Sequence, residues 1–291
     1  PRLGTIPHHF HVRDGRFAYL SHYKHGVEVV DISDPVRPRL VGFYDTHPIN
    51  EEEILTKLRA KPVDLEALTE AELCEFDQDH YGGLEAVPAL ADAAGITSHD
   101  HVLDVCSGMG GPARWLAHTR GCRVTGLDFT RSRVEGARRL TASVGLADKV
   151  DFVDGDATAM PLPSCAFGVA IAQEGWCHIA DKPALVAEVA RVLAPGGALA
   201  FTDIVVIGDF TDTDAARLAA TMKMPRLATV DGYTEHLRAS GFTDLRATDL
   251  SAAWKTILQA RLQMYRSLRD TTVAQFGEAR YAEYDSAYTF F

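Results

Sequence analysis

Apolar and polar positions follow three successive rhythms along the chain. From Arg16 to Thr46, short runs of period two ("RFAYLSHY", "GVEVVDIS", "PRLVGFYDT") are separated by Lys24-His25-Gly26 and Asp34-Pro35. That spacing predicts a small antiparallel β module. From Asn50 to Ala94 the period becomes helical, in "EEEILTKLRA", in "DLEALTEAELCEF" after the Pro62 break, and in "LEAVPALADAAG", a helix suited to covering a sheet edge. From His101 strands and helices alternate: "HVLDVCS", "GPARWLAHTR", "RVTGLDF", "SRVEGARRLTASVG", "VDFVDGD", "FGVAIAQ", "KPALVAEVARVL", "GALAFTDI". Alternation of this kind predicts an α/β fold with a doubly wound, mostly parallel sheet, its ligand crevice at the carboxyl ends of the strands.

The expected organisation is a blade-like antiparallel module at 1–48, a helical cap at 49–94, and a core at 95–252 with a lid insert at 206–230. C-terminal helices follow at 253–291, in "AAWKTILQARLQMYRSLRDTTVAQFG" and "ARYAEYDSAYTFF". Between them, "DGYTEHLRASG" reads as a helix and "TDLRATDL" as a sixth strand.

Composition narrows the partners. With 46% hydrophobic and 24% charged residues the usage is ordinary for a globular protein, and no stretch nears the roughly 18 apolar residues of a membrane span. Formal net charge is -11, so a nucleic acid would meet repulsion. Arg131, Arg133, Arg138 and Arg139 recur as the outer face of a helix, and read as a solvated face. Five cysteines without paired metal spacing, and no signal segment after Pro1, fit a cytoplasmic protein. Opening on Pro1 also implies a natural start further upstream. His8, His9, His11, His22 and His25 cluster in the first module, and read as turn and strand-face histidines rather than as metal ligands.

The chemistry concentrates in "VLDVCSGMGG". Gly108, Gly110 and Gly111 let a strand turn sharply into a helix and bring backbone close to a ligand. The spacing is G-x-G-G rather than G-x-G-x-x-G, and Asp104 sits inside the preceding strand, where a pyrophosphate would be repelled. Asp128 ends the second strand, placed to accept both hydroxyls of a ribose. Asp156-Ala157 end the third, placed to accept from an adenine amino group. Each acid has an ordinary reading: Asp104 a buried turn acid, Asp128 a helix N-cap, Asp156 a loop acid. Three acids on three successive strand ends favour a nucleoside-bearing cofactor.

These motifs, with the "LAPGG" turn at 193–197, resemble over residues 101–204 the class I methyltransferases that use S-adenosylmethionine and release S-adenosylhomocysteine. The resemblance implies a Rossmann-like methyltransferase core in which Asp104 and Gly108 lie by the methionine part, Asp128 at the ribose and Asp156 near adenine. Ser107, Gly110, Phe129, Ala157 and Gln173 complete the implied cofactor site. "DHYGGLEAV", "DVCSGMGGPAR", "QEGWCHIADK" and "FTDI" are similar, more narrowly, to the sarcosine/dimethylglycine methyltransferases that act on small amines. In that group the tyrosine matching Tyr81 reaches the cofactor. "DGRFAYLSHY", "GVEVVDISDP" and "PRLVGFYDT" resemble one LVIVD repeat over about the first 47 residues. A single blade cannot bury both faces, so packing on the next domain, or homo-oligomer formation through this module, is expected.

Methyl transfer from a sulfonium is one in-line displacement, for which positioning and exclusion of water matter most. In "QEGWCH", Trp176 can stabilise a developing quaternary ammonium, or be a core tryptophan. His178 can act as general base or orienter, or be structural. In "GDFTDTDAARLAATMKMPRLATVDGY", Lys223 and Arg226 are candidate anchors for a substrate carboxylate, between Met222 and Met224. The expected catalytic set is therefore His178, Trp176 and Tyr81, with Trp176, Lys223 and Arg226 facing the acceptor and no metal. The expected function is N-methylation of a small amine. Alternatives are C- or O-methylation of a larger metabolite, as in sterol, tocopherol or cyclopropane-forming enzymes, and a non-catalytic cofactor-binding or interaction protein. A seventh strand normal to the family is not visible, which implies a chain cut before it or an N-terminal strand filling its place.

Overall fold

A computed structural model of the chain describes residues 50–290, apart from the side chains at 271, 275, 276, 280, 283, 284 and 287, and before residue 50 only the backbone of four strands. Those strands are β1 (Pro7–Arg13), β2 (Phe17–His22), β3 (Gly26–Asp31) and β4 (Arg39–Tyr44), paired antiparallel in chain order. The side chains of the histidine cluster and the packing of this module lie outside the described residues.

Helix α1 (Glu51–Arg59) begins at Asn50, whose side chain accepts from the Glu53 amide at 3.0 Å, and buries Ile54 and Leu58. The single helix expected over 64–76 is instead a short turn at Leu65–Ala67 followed by α2 (Glu70–Leu73). Asp64 and Thr69 explain the break. Each caps a fresh start, and Thr69 does so in a reciprocal pair with Glu72; such side chains favour helix ends over interiors. Helix α3 (Ala86–Ala94) closes on Gly95 in the left-handed conformation.

The core runs β5 (His101–Val105), α4 (Gly111–Thr119), β6 (Arg123–Asp128), α5 (Arg131–Ser143), β7 (Val150–Asp154), β8 (Phe167–Gln173), α6 (Lys182–Val192) and β9 (Leu193–Thr202). All five strands are parallel, in the order β7-β6-β5-β8-β9. Alternate residues bury on opposite faces. Val102, Val124, Phe152 and Val169 meet α3, α4 and α5, while Leu103, Val105, Leu127 and Ala170 meet α6. The central strands β5, β6 and β8, largely buried on both faces, thus lie in a sheet covered on both sides. The "LAPGG" turn lies within β9, where pairing jumps from Leu193 opposite Phe167 to Ala198 opposite Val169. The intervening residues bulge out, with Gly196 at φ +80.

After β9 come α7 (Asp212–Thr221), α8 (Val230–Ala239), α9 (Ser251–Ser267), α10 (Arg269–Phe276) and α11 (Glu278–Phe290). The expected sixth strand over "TDLRATDL" is irregular chain. Its residues are mostly exposed and Asp244 takes φ +52, so it lacks the half-buried surface that makes a strand worthwhile. Among the described residues no helix is long and apolar enough to cross a membrane.

Candidate functional site

The turn between β5 and α4 leaves the right-handed region three times, at Cys106 (φ +67), Gly108 (+55) and Gly110 (+79). Three hydrogen bonds hold it down. The amides of Cys106 and Ser107 donate to the Leu127 carbonyl at 2.8 and 2.9 Å. The Gly108 amide donates to Asp128 Oδ2 at 2.9 Å, while Asp128 Oδ1 accepts from the Thr130 amide at 2.8 Å. Asp128 therefore joins the glycine loop to the start of α5 and keeps further lone pairs for a ligand. Gly110 is required for packing as well as for φ. A Cβ there would stand 2.4 Å from Phe152 Cζ, and one on Gly111 2.5 Å from the Asp77 carbonyl oxygen.

Asp77 belongs to a segment clamped by a buried arginine that sequence reasoning passed over. Arg114, on α4, donates to Asp77 Oδ2 at 2.6 Å, the Met109 carbonyl at 2.8 Å and Thr141 Oγ1 at 3.1 Å. Its Nε lies 3.6 Å from Glu70 Oε2. Burial pushes the Glu70 carboxyl up to about 8 against the pull of Arg114. The network fixes the segment leading to Tyr81 against the glycine-loop helix.

At the carboxyl ends of β5 and β8 polar atoms are buried without partners, namely Asp104 Oδ2, Ser107 Oγ and both amide atoms of Gln173, as is Nε of Arg133 on α5. Burial, and then the charge of Asp128, pushes the Asp104 carboxyl up to about 7. Unsatisfied groups of this kind are uncommon in a settled interior and point to a polar occupant. Beside them Phe129 is 78% exposed, an apolar face offered at the end of β6.

The third acid differs from expectation. β7 ends at Asp154, so Asp156 and Ala157 fall in the following loop rather than on the strand. Asp156 is exposed, its Oδ1 accepting from the Thr158 amide and hydroxyl, both at 2.8 Å, while Ala157 is buried. It is a loop acid with one carboxylate oxygen engaged locally.

Next to Gln173 lies Glu174, which sequence reasoning did not single out. Its Oε2 accepts from the Tyr81 amide and its Oε1 from the Thr202 hydroxyl, both at 2.6 Å. Burial pushes it up to about 7 in spite of those bonds. The Tyr81 ring is buried between Trp254, 5.0 Å away, and the Arg261 guanidinium, 4.8 Å above it. Nothing in the spacing of α9 announces that its Trp254 and Arg261 return to Tyr81.

Trp176 is corrected to a core residue. It is 0% exposed, stacked on Phe201 at 4.2 Å and tilted against Tyr233 at 6.0 Å, so its ring surface is spent on packing. His178 is exposed, and its Nδ1 lies 3.0 Å from the Lys223 carbonyl oxygen. A carbonyl only accepts, so Nδ1 carries a proton in this contact. Lys223 takes φ +56. Its ammonium donates back to the Ala220 carbonyl at 2.9 Å, a favourable place at the C-terminus of α7. Arg226 is exposed and lines a groove of about 270 Å³ with Ala180, Lys182, Thr229 and His236, none of them glycine-loop residues.

A parallel sheet, a glycine loop after its first core strand and an acid closing the second are features of α/β proteins that bind a nucleoside-bearing cofactor. Residues 103–201 match the methyltransferase domain, and residues 14–46 match the LVIVD repeat. Over these residues the chain is similar to those two families. It is 35% identical over 159 residues to the sterol 24-C-methyltransferase of Eremothecium gossypii, covering 53% of this chain and 43% of that protein. It is 29% identical over 165 residues to the glycine/sarcosine/dimethylglycine N-methyltransferase of Actinopolyspora halophila, covering 57% of this chain and 29% of that protein. The chain thus spans less than half the length of either. In fold it is similar to the Haemonchus contortus phosphoethanolamine N-methyltransferase 2, solved with phosphomonomethylethanolamine and S-adenosylhomocysteine, at TM-score 0.65 and 20% identity over 87% of this chain and 57% of that one.

Proposed function

We propose that this chain transfers a methyl group from S-adenosylmethionine to the nitrogen of a small amine or amino acid. The observation that carries the cofactor assignment is the set of buried, unpartnered polar atoms at the ends of β5 and β8, beside a carboxylate clamped to a glycine loop. Those residues fit the donor. Asp104 and Gln173 suit its charged amino-acid end, with Ser107, Gly108 and Gly110 giving the close backbone approach. Asp128 suits the ribose hydroxyls, Phe129 the face of the adenine, and Asp156 and Ala157 its edge.

When bound, the donor supplies an electrophilic methyl group on a sulfonium. The protein's part is to hold the acceptor in line and dry, an effect worth on the order of 7–11 kcal/mol. Glu174, half-buried and with a carboxyl raised to about 7, is matched to taking a proton from an incoming ammonium near neutral pH. Tyr81, fixed on Glu174 through its amide, shapes the entrance. His178, when neutral, offers Nε2 as a second acceptor. Trp176 supports the floor by packing.

A second reading, methylation of carbon or oxygen on a larger metabolite, is favoured by the likeness to the sterol 24-C-methyltransferase. One experiment separates the readings: calorimetric titration with S-adenosylhomocysteine, then turnover with methyl-labelled donor on small amines, amino acids, phenols and sterols. Turnover confined to phenols or sterols overturns the amine reading. Absence of binding overturns the methyltransferase reading and favours a non-catalytic role.

A further inference from the structure

We infer that Arg133 is a cofactor-positioning residue whose guanidinium takes the α-carboxylate at the methionyl end of the donor, an inference that rests on the proposed use of S-adenosylmethionine. The sequence pattern groups Arg133 with Arg131, Arg138 and Arg139 on one outward face. The structure separates it. Its side chain is 18% exposed against 73% for Arg131. The other three have acids of their own: Arg131 pairs with Glu135 at 3.2 Å, Arg139 with Glu51 at 2.5 Å, and Arg138 lies 3.9 Å from Asp151.

Arg133 instead leans on the glycine loop. Its Nη1 lies 3.5 Å from where a Cβ on Gly108 would stand, and Gly108 is the residue whose amide is bonded to Asp128. Its Nε is buried with no hydrogen-bond partner. Among the described residues its one carboxylate neighbour is Asp79, at 3.7 Å, beyond hydrogen-bonding distance. A guanidinium carries five donors in a fixed fork that matches a carboxylate, and here that fork stands largely unspent beside the loop.

Charge then selects the ligand group. Of the polar groups on the donor, the sulfonium and the ammonium are cationic, the adenine amino group is a donor, and the ribose hydroxyls fall to Asp128. Only the carboxylate is anionic. Asp104, with its free Oδ2, and Arg133 would divide the two ends of the amino acid between them, carboxylate to ammonium and guanidinium to carboxylate.

The test uses the full chain and two ligands that differ only at that end, S-adenosylhomocysteine and 5′-methylthioadenosine, which keeps the adenosine and lacks the amino acid. In Arg133→Met, affinity for S-adenosylhomocysteine should fall about ten- to a hundredfold, the loss expected for a hydrogen-bonded charge. Affinity for 5′-methylthioadenosine should change less than about twofold, and Arg133→Lys should recover part of the loss. The unchanged second ligand shows that the variant is folded. Equal weakening of both ligands would move Arg133 to the adenosine side, and unchanged binding of both would make it a partner of Asp79 only. Either result overturns the inference while wild-type binding leaves the methyl-donor reading standing. A wild-type protein that binds neither ligand overturns both.

Discussion

Binding of the donor should release a proton, and Asp104 should be its source. The Asp104 carboxyl is 3% exposed, has one oxygen without a partner, and is raised from the ordinary 3.8 to about 7. A ligand that brings an ammonium against it favours the ionised form and pulls the value down. The protons released then equal the fraction held beforehand: about 0.9 at pH 6, about 0.5 at pH 7 and about 0.1 at pH 8. Observed affinity should accordingly rise about tenfold between pH 6 and pH 8 and then level off. Titration of S-adenosylhomocysteine at pH 7 in buffers of different ionisation enthalpy measures the release directly, as the slope of apparent enthalpy. Asp104→Asn should abolish it; release that survives the substitution would assign the proton to Glu174, also raised to about 7. A wild-type enthalpy independent of buffer at pH 7 refutes the reasoning. The same shift carries a stability cost. Between about pH 4 and pH 7 the folded protein holds a proton that the unfolded chain has lost, so stability falls as pH rises through that window, by at most on the order of 4 kcal/mol. Asp104→Asn should therefore raise the unfolding free energy of the ligand-free protein at pH 8.

Three further outcomes follow from the packing. Trp176→Ala should cost about 3–5 kcal/mol in urea unfolding, whereas Trp176→Phe should keep turnover within about tenfold, less than one factor of 1.4 kcal/mol in the barrier; a folded Trp176→Phe with abolished turnover would restore a direct role in catalysis. Gly110→Ala combines φ +79 with a Cβ 2.4 Å from Phe152, and should destabilise by about 2–4 kcal/mol and lose S-adenosylhomocysteine binding; an unchanged melting temperature would contradict this. Asp77→Ala strands the buried Arg114 charge and should cost about 3–5 kcal/mol, while Glu70→Gln at pH 7 should cost less than about 1 kcal/mol, because Glu70, raised to about 8, is already mostly protonated there. Equal losses in the two variants would show Glu70 to be ionised.

The parallel core was legible because its strands are buried on both faces and its helices on one, so each announces itself locally. Phe167–Gln173 is the same strand in pattern and in structure. The glycine loop and Asp128 were legible for a related reason: backbone reversal and a strand-end acid are properties of a few adjacent residues. What failed depended on contacts distant in sequence. The helical period of "DLEALTEAELCEF" did not reveal that Thr69 caps a new helix instead of continuing one. "TDLRATDL" has strand-like composition but no face for the fold to bury. Asp156 was displaced two residues past its strand end, because a period-two run does not mark where pairing stops. Trp176 and Arg133 could not be placed from residue type either: only the structure shows that Trp176 is stacked on Phe201 and that Arg133 is less exposed than Arg131.

The same distinction locates the choice of acceptor. Residues 103–201 supply the sheet and the glycine loop common to the methyltransferase domain, and none of the elements over Glu174 except Thr202's own strand comes from that stretch. Tyr81 comes from before it, while Trp254 and Arg261, which enclose the Tyr81 ring, come from α9. The α7 segment is tied in turn to α11. Arg217 donates to the Ser286 carbonyl at 2.9 Å and lies over the Phe290 ring at 4.3 Å, and Phe290 packs against the cluster of Cys177, Leu218 and Met224. On the proposed reading, space at the reacting end is bounded by the cap and the C-terminal helices, so two chains can share the donor-binding half closely and differ in what they methylate. Substitutions at Arg261 and Trp254 should accordingly shift acceptor KM while leaving S-adenosylhomocysteine affinity within about twofold, a difference of about 0.4 kcal/mol; a parallel loss of both would place α9 in the donor site instead.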